Sequence, residues 1–194
     1  MNRSRQKVRY KLNSGGIKSL SDEEIKVILR AADELIGIGG RSMLAKILKG
    51  SKDKKVLEYG LDKCPSYGYY CGLTLEEITK RIDWLIKSGY LDIEYSGKLP
   101  MLIFTEKGWE IERETYANEL LNKLTEILED QDYSFVYELK DRNRGMILLL
   151  IEKIKNTKNA RFIPLLKEWK RIEYKKVQAE LQNVIYYLMK EGKI

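Results

Sequence analysis

The feature that most restricts how this chain can fold is an ordered run between residues 74 and 109. Thr74 stands three positions before Glu77, a pair whose side chains can satisfy the free N–H groups at a helix start. Ile78, Ile82, Leu85 and Ile86 then recur at helical spacing, with Lys80, Arg81, Asp83 and Lys87 between them. Gly89 follows where a left-handed cap is expected, so residues 75–88 are predicted to form an amphipathic helix. Leu91, Ile93 and Tyr95 alternate with Asp92 and Glu94, the period of a strand. Ser96-Gly97-Lys98 is turn chemistry, and Met101 to Thr105 reads as the returning strand. Pro100 lacks an N–H donor, which suits a hairpin tip or a sheet edge. A new helix is expected from Lys107 to Trp109.

Two helices are predicted upstream. Ser21 and Glu24 form another capping box, and Ile25, Ile28, Leu29, Ala32, Leu35 and Ile36 share one face. Gly37, Gly39 and Gly40 end that helix, and Met43, Leu44, Ile47 and Leu48 mark the next. The glycines are not a dinucleotide fingerprint, because no strand precedes them and their spacing differs from G-x-G-x-x-G. Helices followed by a hairpin and a further helix give the order of a winged helix.

The motifs within this order resemble the RQC domain, the winged helix that follows the motor of RecQ-family helicases. The resemblance rests on Lys49-Gly50-Ser51 at a helix start, on Gly60-Leu61-Asp62-Lys63-Cys64-Pro65-Ser66-Tyr67-Gly68, and on Leu85-Ile86-Lys87-Ser88-Gly89-Tyr90-Leu91 before the wing. It covers residues 20–112. Lys49 replaces an arginine of the family pattern and Leu61 a histidine. The resemblance implies contact with the DNA backbone at Lys49, Ser51, Lys52 and Lys55. It also implies a wing able to act as a wedge at a duplex end. The chain shows neither the helicase motor nor the Cys-rich zinc module that accompanies many such domains, so it resembles a stand-alone, minor RQC protein.

The residues offer their own account of these positions. Lys49, Lys52, Lys54 and Lys55 cluster around Gly50-Ser51. If Ser51 caps the following helix, exposed N–H groups and lysines together can hold phosphate. By residue type alone the cluster reads as a solvated surface, and it is the resemblance that favours the site. Arg41, Lys63 and Lys80 are added as candidate phosphate contacts, and Lys98 and Leu99 at the wing tip. A single leucine offers little area against the cost of unstacking a base step, so Lys98 is expected to grip phosphate rather than Leu99 to separate strands. Tyr59, Tyr67, Tyr69 and Tyr70 can stack on bases, although Tyr67 is expected to pack against the protein.

Residues 1–18 hold six basic side chains and no acid, and are expected to form a basic flexible tail. The chain carries 43% hydrophobic residues, enough for real cores, and a net charge of +7, which favours an anionic partner. Past Trp109 the balance turns acidic: Glu110, Glu112, Glu114, Glu119, Glu126, Glu129 and Asp130 accompany Ala117, Leu120, Leu121, Leu124, Ile127 and Leu128 at helical spacing. Residues 113–130 are therefore expected to be an acidic linking helix whose polar face points away from nucleic acid. Residues 131–194 are expected to be a small all-α unit. Within it Met146–Ile151 should be buried on most sides, and the stretch from Ala160 to Leu188 loosely resembles a HEAT-type repeat. Its Arg161, Lys167, Lys170, Arg171, Lys175 and Lys176 suit a second DNA contact or a protein surface, and Trp169 is expected in the core. The fold class is thus α+β and mostly helical, a winged helix over residues 19–112 followed by a helical unit.

Catalysis finds no support in the residues. There is no G-x-x-x-x-G-K-[ST] loop, no Gly-x-Ser-x-Gly and no histidine. Cys64 and Cys71 alone fall short of the roughly four ligands a zinc site needs. No run of about 18 or more apolar residues suggests a membrane span. The expectation is a cytoplasmic, prokaryotic DNA-binding protein of repair or recombination, without cofactor and not an enzyme. It would hold duplex ends, forks or branched DNA with little sequence preference. A transcription regulator using residues 75–88 in the major groove is the alternative, as is an adaptor that docks its C-terminal helices on a helicase or other DNA-processing protein.

Overall fold

The computed structural model describes residues 11–191 apart from Lys98. The basic residues Arg3, Arg5, Lys7 and Arg9, and the wing-tip Lys98, therefore lie outside the described residues. Among the described residues the elements run α1 (Asp22–Asp33), α2 (Arg41–Lys49), α3 (Lys54–Glu58), α4 (Leu75–Lys87), β1 (Leu91–Ser96), β2 (Leu99–Phe104), α5 (Glu106–Asp130), α6 (Arg144–Asn156), α7 (Ile163–Ile172) and α8 (Lys175–Glu191). Short 3-10 turns lie at Leu61–Lys63, Ser134–Leu139 and Ala160–Phe162. The chain divides into two compact units, Met1–Glu112 and Arg113–Ile194, with the boundary inside α5. No described helix is long and apolar enough to cross a membrane.

In the first unit both capping boxes form. Ser21 and Glu24 close the start of α1, and Thr74 and Glu77 that of α4. The apolar faces of α1, α2 and α4 then meet. Ile28, Leu29 and Ala32 pack with Leu44, Ile47 and Leu48, and with Ile78, Ile82 and Leu85, all of them fully buried. Each such aliphatic side chain contributes roughly 1.5–3 kcal/mol by leaving water. Leu91 and Leu102 bring the base of the hairpin onto this core.

The wing is tighter than the turn residues alone suggest. β1 and β2 pair antiparallel with Ser96 opposite Leu99, so the connection is Gly97-Lys98 and β2 begins two residues before Met101. Gly97 takes a φ of +62°, which a two-residue hairpin turn requires and glycine permits. Pro100 consequently sits inside β2, opposite Tyr95. It is tolerated because of strand parity. The Leu102 N–H, two residues on, points away from β1 and donates to the Gly39 carbonyl at 3.1 Å. The missing N–H of Pro100 lies on that same outer edge, so no bond between the strands is lost.

In the second unit α7 and α8 pack as a hairpin, with α6 against α8. Trp169 is fully buried, and its indole N–H donates to the Glu173 carboxylate at 2.8 Å. Met146, Ile147, Leu150 and Ile151 are buried, but Leu148 is 37% exposed, because the turn of α6 carries it off the packed face. The run is thus buried on most sides as expected, with Leu148 the exposed exception.

Candidate nucleic-acid interface

The α2–α3 connection is a rigid turn built from the backbone outward. Gly50 ends α2 at φ +75°, and its N–H reaches back to the Lys46 and Ile47 carbonyls. A Cβ on Gly50 would stand 3.0 Å from the Gly68 Cα, so the loop after α3 lies directly on the end of α2. The Gly68 N–H donates to Ile47 at 3.0 Å and the Tyr70 N–H to Leu48 at 2.8 Å. The Tyr67 hydroxyl donates to the Ser51 carbonyl at 3.1 Å, which gives Tyr67 the packing role expected for it.

The cap of α3 differs from expectation. Asp53, not Ser51, takes that place and accepts the Lys55 N–H at 3.0 Å. Ser51 acts one step earlier, its Oγ accepting the Asp53 N–H at 3.2 Å. The carboxylate wins because it also receives the Lys46 ammonium at 2.7 Å. That bond, with the N–H of Lys55, holds the Asp53 carboxyl below its usual range.

The lysines of this segment fall into different states. Lys49 donates to the Cys71 carbonyl at 2.5 Å. Lys54 faces Glu58 at 3.5 Å in a pair mostly open to solvent, which contributes little. Lys52, Lys55 and Lys63 are exposed and form no ion pair within 4 Å among the described residues, although the Asp53 carboxylate feels the Lys55 charge. Arg41 is committed to the buried Asp83 at 2.6 Å. Lys80 pairs with Glu76 at 2.7 Å, and its stem lies against Gly15.

A groove of about 370 Å³ joins this turn to the wing. Arg41, Ser42, Lys46 and Lys55 line one side, and Ile93, Leu99, Pro100 and Met101 the other. Leu99 is 66% exposed at its end. The fold therefore brings Arg41, Lys55 and Leu99 to one place, and adds Ser42 and Lys46, which reading the sequence missed. Their signal was present: Ser42, Lys46 and Lys49 recur at the spacing of one polar helix face. Lys63 and Lys80 do not line the groove.

The helix that the alternative, a transcription regulator, would use to read bases is covered over its later turns. The Asn13 N–H donates to Asp83 at 2.7 Å, the Trp84 indole to the Lys18 carbonyl at 3.3 Å, and the Lys87 ammonium to the Ser14 hydroxyl at 3.4 Å. From Ile78 to Lys87, only Lys87 is exposed. A recognition helix reads bases mainly from its N-terminal residues; in α4 that turn is open but carries Glu76 and Glu77, whose carboxylates phosphate repels, and the later turns are covered.

The tyrosines divide as well. Tyr70 is buried and donates to Glu24 at 2.9 Å; burial, then the Glu24 carboxylate, pushes its hydroxyl pKa far up. Tyr59 is 60% exposed. Both cysteines are free, Cys64 buried and Cys71 exposed.

Three packed helices, a two-stranded wing and a lysine-bearing turn beside it define a winged-helix protein. The RQC domain family matches residues 21–122, just over half of the chain, and the chain belongs to that family. It is also similar to the ATP-dependent DNA helicase RecQ of Bacillus subtilis (strain 168), with 36% identity over 69 residues. That match covers 36% of this chain and 12% of the helicase, so the chain spans a small part of the relative's length. No solved structure matches significantly.

Proposed function

We propose that this chain binds DNA through its RQC winged helix, holding the phosphate backbone of duplex ends, forks or branched DNA with little sequence readout. The observation that carries the reading is the groove that brings Lys46 and Lys55 to the exposed wing residue Leu99, with Lys52 and Lys54 on the adjoining turn. Among the described residues Lys52 and Lys55 form no ion pair within 4 Å, and the Lys54–Glu58 pair is open to solvent, so these ammonium groups can release counter-ions when they meet phosphate, while Lys46 shares its charge with Asp53; such contacts favour association without reading bases. The covered face of α4 speaks against the alternative, a regulator that reads an operator through that helix. Membership of the RQC family, and likeness to a helicase named for its action on DNA, support DNA as the polyanion. Lys49, Ser51, Lys63 and Lys98 remain in the proposed contact set, while Arg41 and Lys80 serve mainly to position α2 and α4. The role is binding rather than catalysis.

Fluorescence anisotropy with labelled blunt duplex, fork, single strand and hairpin-capped duplex, over a range of salt, tests this. Ends or forks should bind best. Changing Lys52, Lys54 and Lys55 together to Ala should weaken every DNA alike and lower the salt slope by up to about 3, near 0.9 per lost phosphate contact. A protein that binds no DNA at low salt, or whose slope ignores these lysines, rules the reading out.

A further inference from the structure

The second unit holds a groove of about 510 Å³ between α7 and α8 that the winged helix does not use. Its chemistry is one-sided. Lys167, Lys170 and Arg171 supply the charge, Gln178 and Gln182 add carboxamides, Ile185 and Met189 form an apolar floor, and among the described residues no carboxylate lines it. Of the nearby acids, one pairs with a groove cation and the other turns into the core. Glu168 accepts from the Tyr137 hydroxyl at 3.0 Å as well as from Arg171 at 2.5 Å, and Glu173 is buried against Trp169. Lys170 donates to Gln182 at 2.5 Å, bridging the two helices. An ammonium has three donors, so this bond to a neutral amide leaves others for an incoming anion. Met189 is 40% exposed, and its thioether side chain adapts to varied apolar shapes.

We propose that this groove docks an acidic peptide segment of a partner protein that carries an apolar side chain beside its carboxylates. The carboxylates would meet Lys167 and Lys170, with the guanidinium donors of Arg171 that Glu168 leaves open, and the apolar side chain would seat on Ile185 and Met189. Charge complementarity sets the partner's sign, and the floor sets the need for an anchor. A single-stranded nucleic acid fits less well, because among the described residues lining the groove there is no aromatic ring on which bases could stack. The groove shares no described lining residue with that of the winged helix, and the proposal stands whether or not the winged helix binds DNA.

The test uses the full chain with 13C-methyl methionine and the fluorescein-labelled peptide Glu-Asp-Glu-Asp-Leu-Phe at about 0.15 M salt. Binding should be saturable and should move the Met189 methyl resonance while leaving Met43 and Met101 in place. Replacing Leu-Phe by Gly-Gly, or the acids by Gln and Asn, should each weaken binding on the order of tenfold. The pair Lys167→Glu and Lys170→Glu should do the same, whereas Lys52, Lys54 and Lys55 changed to Ala should not. The proposal falls if the peptide does not bind, if the Gly-Gly peptide binds as well, or if Met189 is unmoved. It also falls if oligothymidylate displaces the peptide and itself shifts Met189, which would make the groove a nucleic-acid site.

Discussion

Asp83 is the side chain on which the winged helix is pinned. It is 2% exposed and holds the Arg41 guanidinium at the start of α2 together with the Asn13 N–H of the segment crossing α4. Replacing it by Ala leaves a largely buried guanidinium without this partner, and such a loss costs about 3–5 kcal/mol. Urea denaturation of Asp83→Ala should show that loss, and adding Arg41→Met should recover part of it. Glu24 shows a second kind of control. Burial would raise its carboxyl pKa, but hydrogen bonds from the Ser21 backbone, the Tyr70 hydroxyl, the Ser21 hydroxyl and Arg81 outweigh it and hold the group below its ordinary 4.5. The folded state therefore binds fewer protons than the unfolded one just below pH 4.5. This contribution to stability is complete above that pH and disappears as the pH falls through the lower folded value. Glu24→Gln should flatten the acid side of the stability profile while leaving its slope near neutral pH unchanged, as read by denaturation at stepped pH.

Between elements, glycines decide how closely the wing can sit. A Cβ on Gly40 would lie 2.5 Å from the Pro100 carbonyl oxygen, and one on Gly108 would collide with the Tyr90 carbonyl. The first position lets the start of α2 lie along the outer edge of β2; the second lets α5 close under β1. Both neighbours are backbone, which cannot rotate away as a side chain can. Gly40→Ala should therefore destabilise the unit by about 1–3 kcal/mol and loosen the wing from α2. Faster exchange of the Leu102 amide, whose acceptor is Gly39, would report the loosening before global unfolding does.

At the scale of the whole molecule, binding and stability are linked by mass action. A duplex that binds only folded protein, at about 100 times its Kd, adds roughly 2.7 kcal/mol to stability. Trp84 and Trp109 lie in the first unit and Trp169 in the second, so variants with the other tryptophans changed to Phe report each unit separately. DNA should raise the unfolding midpoint read from Trp84 and Trp109. The rise should shrink with added salt, and should shrink again when Lys52, Lys54 and Lys55 are Ala.

Local pattern carried much of the architecture. The boxes Ser21–Glu24 and Thr74–Glu77, the apolar faces behind them and the alternation from Leu91 to Tyr95 are short-range signals, set by hydrogen bonds and side-chain periods within a few residues. They determined the helices, the hairpin and, with the motifs around Gly50 and Gly60–Gly68, the RQC family. The cap of α3 was misassigned because Ser51 and Asp53 are both able caps, and the choice falls to Lys46, seven residues before Asp53. The site was less legible still. Nothing near residue 83 announces that residues 13–18 cover α4, nor does the sequence around Lys46 and Lys55 place them in a groove with Leu99. Those arrangements depend on pairs 70 or more residues apart, such as Asn13 with Asp83 and Ser14 with Lys87. Sequence by itself determined which elements form. Tertiary packing alone decided which of their polar faces stay open to a partner, because burying the shared apolar core fixes how the elements lie against one another.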